Sequence, residues 1–229
     1  MIDIRVFHGE EAWLDGITDD FMRVMAGIPD SRQPRLCLAG GQTPEPVYRS
    51  IARLVVEGRT DRSPVILVPG DERVSLGRPA DLNETMLGRA FAPAIASGAA
   101  TMYRWFDDAT DWMVAGPGAV SGPDPAIHSQ SGTDLARLMI RTMESRLAML
   151  ANLDMPLFDL CYLGMGADGH TAGLFPGMPG LDDPGYCVQG LAPQAPRQRV
   201  SLGFPALTSS RHTRFILGSA GKEDRKSVV

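Results

Sequence analysis

Cysteine is scarce in this chain. Three residues, Cys37, Cys161 and Cys187, cannot all pair with one another, so a disulfide-stapled secreted scaffold is excluded. Cys37 and Cys161 sit inside apolar runs, as buried reduced thiols do. No CxxC, HxH or HExxH spacing occurs among the three cysteines and four histidines, so no metal is expected. No apolar run approaches the roughly 20 residues needed to cross a bilayer. The amino terminus, MIDIRVFHGEEAW, has no basic start followed by an apolar core, so no signal peptide is read there. Net charge is −5, without a basic surplus, which argues against nucleic-acid binding. There is no internal repeat, no P-loop and no GxGxxG fingerprint, so neither a solenoid nor a nucleotide is implied. A cytoplasmic globular protein is therefore expected, and the acidic balance does not forbid an anionic small ligand.

What is present is an alternation of apolar runs and helical periodicity. Ile4 to Phe7, Arg35 to Ala39, Val65 to Val68, Thr101 to Trp105, Phe158 to Leu163, Arg199 to Leu202 and Arg214 to Leu217 read as strands. Glu10 to Met25 carries Trp13, Ile17, Phe21 and Met25 at a four-residue step, which predicts a helix. Thr43 to Val56, Asp81 to Phe91 and Thr133 to Leu150 are helical for the same reason. The pattern predicts an α/β fold, a Rossmann-like and mostly parallel sheet with helices on both faces. Gly116 to Gly132 and Gly177 to Gly185 read as surface loops, and one domain over residues 1–229 is expected.

Four strand ends carry glycine together with polar or charged residues. After the second predicted strand comes Gly40-Gly41-Gln42-Thr43-Pro44, with Thr43 placed to cap a helix and Pro44 at its first position. Backbone N–H groups and the helix dipole would then face an anion. The plain alternative is a tight strand-to-helix turn with no ligand. After the third strand comes Gly70-Asp71-Glu72-Arg73, where Asp71 or Glu72 would give a pocket its polar group and Arg73 an anion contact; Asn83 is placed to cap or orient this loop. Near the end, Arg199 precedes a strand that leads to Lys222, a point-charge partner for phosphate.

The remaining strand end is the most informative. Phe158 to Leu163 breaks into Gly164, Gly166 and Gly169, and Asp168 and His170 sit within the break. Thr171 is placed to cap a following helix, whose dipole would favour a neutral imidazole suited to general-base work. Gathered at one sheet edge, these segments make a phosphate anchor beside an acid–histidine pair.

The ordered set LAGGQTP, GDER, GMGADGHTAGLFP, RVSL and GSAGK resembles the 6-phosphogluconolactonases, which share a superfamily with the glucosamine-6-phosphate deaminases. The resemblance implies hydrolysis of 6-phosphogluconolactone in the pentose phosphate pathway, without a cofactor. It implies His170 as the catalytic base, Asp168 as the acid beside it, and Asp71 and Arg73 as the polar pair of the third strand end. Gly40, Gly41, Gln42 and Thr43 then approach the sugar phosphate, with Arg199 and Lys222 as basic partners. Gly173 and Ala39 stand where the lactonases usually carry serine, and neither exchange removes an ionisable group. The deaminase branch carries glutamate five residues after the histidine, where this chain has Phe175. The lactonase is therefore preferred over the deaminase, and over a sugar-phosphate sensor without turnover. The expected partner is a sugar-phosphate lactone, with the chain a monomer or a weak homodimer. The family continues past its lysine into a final helix; with seven residues after Lys222, that helix is expected to be truncated.

Overall fold

The computed structural model describes residues 3–60, 64–74, 82–106, 130–153, 156–194 and 196–218. Five parallel strands form the main sheet: β1 (Arg35–Leu38), β2 (Val65–Pro69), β4 (Ala100–Met102), β5 (Phe158–Leu163) and β8 (Ser210–Phe215). Their spatial order is β4-β2-β1-β5-β8, the doubly wound arrangement with its reversal between β1 and β5. β1, β2 and β5 are buried along their whole length, which is why they read as continuous apolar runs rather than alternating ones.

Alternation sorts their side chains onto two cores. Leu36, Leu38, Leu67, Leu160 and Tyr162 face α1 (Glu10–Ala26), α2 (Glu45–Val56), α3 (Asn83–Ala90) and α4 (Ala92–Ala96). Cys37, Val68, Cys161 and Leu163 face the long helix α5 (Gln130–Leu153). Helix α5 buries Leu135, Met139, Met143, Leu147 and Leu150 there. Each such side chain contributes about 1.5–3 kcal/mol. The exposed Asp134–Arg137 pair on the same helix belongs to a class worth about 0.2–1 kcal/mol, so packing holds the helix in place. All three cysteines are free and buried. Among the described residues no helix is long and apolar enough to cross a membrane.

A second, antiparallel sheet of β3 (Asp71–Arg73), β7 (Gln198–Leu202) and β6 (Cys187–Leu191) lies in the order β3-β7-β6. A short helix, α6 (Phe204–Thr208), leads from β7 into β8. Of these, sequence patterning anticipates only β7. Asp71–Arg73 reads as a polar turn because it is three charged residues long, yet it pairs with β7 in register Asp71↔Ser201, Glu72↔Val200 and Arg73↔Arg199.

Three expectations change. Ile4 to Phe7 forms no strand: with no ladder to join, Ile4 and Val6 remain 65% and 73% exposed. The last strand begins earlier, at Ser210, because an edge strand needs no apolar run to join the ladder beside β5. No helix follows Thr171; Thr171 and Leu174 close on each other as a β-bridge, and Ala172 adopts φ 48°. The segment Gly116 to Gly132, apart from the start of α5, and the carboxyl-terminal helix question lie outside the described residues.

Candidate active site

The carboxyl ends of β1 and β5 flank the reversal point of the sheet, where open α/β sheets form a crevice. β5 ends at Leu163 and the chain enters the turn from Gly164 to His170. The His170 backbone carbonyl accepts the Gly166 N–H at 2.8 Å, and Gly166 accepts from Gly169 N–H at 3.2 Å, which closes the turn on itself. A side chain at Gly166 would put its Cβ 2.1 Å from the His170 ring and 2.8 Å from Asp168, so only glycine leaves the pair as it stands.

His170 Nδ1 lies 2.5 Å from Asp168 Oδ1, and the same oxygen accepts the His170 backbone N–H at 3.2 Å. Slight desolvation pushes the Asp168 carboxyl upward, but the two hydrogen bonds from His170 outweigh it and hold Asp168 below the usual carboxylate range. Phe175 covers the imidazole, ring centres 4.3 Å apart and planes inclined by 32°. The His170 and Asp168 side chains remain 33% and 42% exposed, so the pair is open to a ligand.

Asp71 joins this pair from the second sheet. Strand alternation puts Asp71 and Arg73 on one face of β3 and sends Glu72, wholly buried, to the other. Burial pushes the Asp71 carboxyl upward, against the opposing pull of the Arg199, Arg73 and His170 charges. Arg73 stands directly opposite Arg199 across the ladder. Arg199 also donates to the carbonyls of Pro196 and Gln198. Two like charges facing each other on one sheet face repel, and an anion seated between them would relieve that repulsion.

Ser201 ties the two loops together. Its buried Oγ accepts the Gly173 N–H at 3.0 Å and donates to the Leu202 carbonyl at 2.9 Å; it also reaches the Gly70 carbonyl at 3.5 Å. The Leu202 N–H meets the Gly70 carbonyl at 2.8 Å. The segment after His170 and the segment before Asp71 are thus pinned to one residue of β7. Sequence reading passed over Ser201, which looks like any polar residue in a strand.

The glycine loop after β1 is held by Tyr48, whose hydroxyl donates to the Ala39 carbonyl at 2.9 Å. Gly41 has φ 98° and lets the chain turn into α2. Thr43 does not cap that helix; Pro44 occupies the cap position and no side chain bonds there. Thr43 instead meets the end of the last strand, its Cγ2 being 3.2 Å from where a Gly218 Cβ would lie. Glu45 in the first helical turn is paired with Arg49 at 2.7 Å. The structure therefore places Gly40 to Thr43 after β1, Asp168 and His170 after β5, and Asp71, Arg73 and Arg199 on the second sheet, with Asp71 near enough to feel the charges of Arg73, Arg199 and His170. Lys222 lies outside the described residues. Among the described residues no cluster of three metal-ligating side chains occurs.

A model of the family described as "Glucosamine-6-phosphate isomerases/6-phosphogluconolactonase" matches residues 10–228. A 6-phosphogluconolactonase of Synechocystis sp. is 28% identical over 205 residues, which span 88% of this chain and 73% of that protein. A 6-phosphogluconolactonase of Rattus norvegicus is 39% identical over 84 residues, 32% of this chain and 33% of the rat protein. Among solved structures, 6-phosphogluconolactonases from Leishmania guyanensis and Trypanosoma brucei share the fold at TM-score 0.66 each. They are 19% and 21% identical, and the match covers 92% of this chain and 79% and 80% of theirs.

Proposed function

The chain belongs to the glucosamine-6-phosphate isomerase/6-phosphogluconolactonase family, and from that premise we propose that it hydrolyses 6-phospho-D-glucono-1,5-lactone to 6-phosphogluconate. The observation that carries this reading is the 2.5 Å contact between His170 Nδ1 and Asp168 Oδ1. It supports a proton on Nδ1 within the hydrogen bond, with Nε2 as the ring atom that accepts a proton from water. Asp168 is thus the acid that orients the imidazole, and Asp71 adds a negative charge whose field the ring shares.

The substrate phosphate sits against Arg73 and Arg199, with the Gly41 to Thr43 loop, and with Lys222 as a further cation. The repulsion between the two facing arginines is relieved when a dianion arrives. Anchoring the phosphate holds the lactone carbonyl near His170 and lowers the entropic barrier to attack. His170 takes a proton from water, the resulting hydroxide adds to the carbonyl carbon, and the tetrahedral oxyanion is stabilised by backbone N–H groups or an arginine. The ring C–O bond then breaks and His170 returns its proton to the departing ring oxygen. A lactone is an activated ester, so no enzyme nucleophile takes part.

The family description also covers isomerases. An isomerase or deaminase needs a further acid near the base to move protons along the sugar. In this chain the corresponding place is held by Phe175, buried and stacked on His170. That favours hydrolysis. A monomer or weak homodimer, folded as one domain and working in the cytoplasm, completes the reading. The direct test generates the lactone in place with glucose-6-phosphate dehydrogenase and follows acid release. Release well above the spontaneous rate is expected; a rate equal to the spontaneous one, or ammonia released from glucosamine-6-phosphate, overturns the assignment.

A further inference from the structure

We propose that Asn83 is a positioning residue for this hydrolysis, holding Asp71 toward His170 and fixing the glycine loop after β1. The inference rests on the lactonase reading and adds a residue that the reading does not use. Asn83 opens α3 and is only 8% exposed. A helix start usually lies in water; a buried amide there must find partners. Its Nδ2 donates to the Asp71 carbonyl at 2.9 Å and to the Asp71 carboxylate at 3.1 Å, so both amide hydrogens serve one residue. Its Oδ1 lies 1.9 Å from where a Gly40 Cβ would be, a place only glycine leaves open. One side chain thereby touches both the loop after β1 and the acid after β2.

Asn83 is itself held from the opposite face of β3. The Glu72 carboxylate accepts the Asn83 N–H at 3.0 Å and the Arg73 N–H at 2.8 Å through Oε1, and the Glu84 N–H at 2.8 Å through Oε2. Helix α3 has no side-chain cap from its own N-cap residue, Leu82, so Glu72 supplies the acceptor its first N–H groups need. Alternation along β3 explains the division of labour. Asp71 faces the crevice, Glu72 faces the helix, and Asn83 returns from the helix to hold Asp71. The charged groups facing Asp71 are Arg73 on its own strand, Arg199 on the paired strand and His170 on the loop after β5. Glu72 and Glu84 lie on the helix side of Asn83. Released from the amide, the Asp71 carboxylate would turn to pair with an arginine, taking a cation from the phosphate and a negative charge from His170.

The test places Asn83→Ala and Asn83→Asp in the wild-type and Asp71→Asn backgrounds of the full chain. In the wild-type background Asn83→Ala is expected to lower kcat/KM by about 10- to 100-fold, the scale of a misplaced catalytic geometry. In the Asp71→Asn background the further loss is expected to stay below about 3-fold, because two residues acting through one contact are not additive. Equal losses in both backgrounds overturn the proposal, since a purely structural role would lower both alike. Asn83→Asp keeps the shape and replaces a donor with a charge beside Asp71. Two acids side by side disfavour each other's charged form, so it is expected to lower kcat/KM at least as far as Asn83→Ala, and wild-type kcat/KM in Asn83→Asp also overturns the proposal. If the wild-type chain does not hydrolyse the lactone, the lactonase reading fails; if it does and the losses are equal in both backgrounds, that reading stands and the role of Asn83 fails.

Discussion

His170 and Asp168 share a single carboxylate oxygen, which meets both the ring Nδ1 at 2.5 Å and the backbone N–H at 3.2 Å. On the proposed mechanism the acid holds the imidazole with its Nδ1 toward the carboxylate. His170→Ala is expected to fold, since the side chain is one-third exposed and supports no core. Its turnover should fall by about 10²–10⁴-fold, the usual worth of a general base. Asp168→Asn should retain substrate binding and lose turnover, because an asparagine can present its amide to Nδ1 and favour the wrong tautomer. Steady-state kinetics with lactone generated in place read both effects; near-wild-type turnover in His170→Ala would remove it from the catalytic role.

Arg73 and Arg199 face each other across β3 and β7 with Asp71 on the same strand face. A like-charged cross-strand pair destabilises the free protein by a few tenths to about 1 kcal/mol and becomes favourable with an anion in place. Arg73→Ala and Arg199→Ala should therefore raise KM for the phosphorylated lactone by about 10-fold or more, the cost of a charged hydrogen bond, while leaving the melting temperature little changed. Inorganic phosphate should raise the melting temperature of the wild type and not that of the double variant. Equal phosphate stabilisation of both would place the anion elsewhere.

Two buried acids lie behind the crevice. Burial pushes Glu72 up to about 8 and Glu84 up to about 7, against the backbone N–H groups that both carboxylates accept. An acid whose folded pKa exceeds its ordinary value of 4.5 binds more protons folded than unfolded between those pH values. Their contribution to stability is thus complete below about pH 4.5 and is lost as pH rises through about 7 and 8. Denaturant midpoints should therefore decline between about pH 4.5 and about pH 8 and level off above that. The decline should be shallower in Glu72→Gln. An identical slope in the variant would show that Glu72 does not titrate in that range.

The legibility of this chain follows burial. Strands enclosed on both faces, such as Arg35–Leu38 and Phe158–Leu163, announce themselves as apolar runs. Asp71–Arg73 is held by its partner strand and carries no apolar run, so patterning reads it as a turn. Ile4 to Phe7 has the opposite fault, a run of strand-like composition that joins no ladder among the described residues. Strand-end logic singles out His170, Asp168, Asp71 and Arg73 because glycine and charged residues follow the strands there, and the roles proposed for them await the kinetic tests. Capping logic fails twice: Pro44 takes the position expected for Thr43, and Thr171 bonds to Leu174 instead of opening a helix. Ser201 was invisible because its role depends on Gly70 and Gly173, which lie far from it along the chain.

Gly166 offers a test that separates geometry from chemistry, because it bears no reactive group. A methyl there would lie 2.1 Å from the imidazole of His170 and 2.8 Å from Asp168 Oδ1. Either the ring must swing or the turn must open, and the 2.5 Å hydrogen bond cannot survive either movement. The nearest neighbours of that methyl are side-chain atoms of His170 and Asp168, both partly exposed, so the fold should tolerate it. Gly166→Ala is therefore expected to keep a melting temperature within a few degrees of wild type, as changes of about 1 kcal/mol do. Its kcat should fall by about 100-fold, the scale of a 1 Å displacement at a reacting group. KM should change little, because the arginines of the second sheet are untouched. A variant with full turnover would mean that the Asp168–His170 contact does not govern the rate.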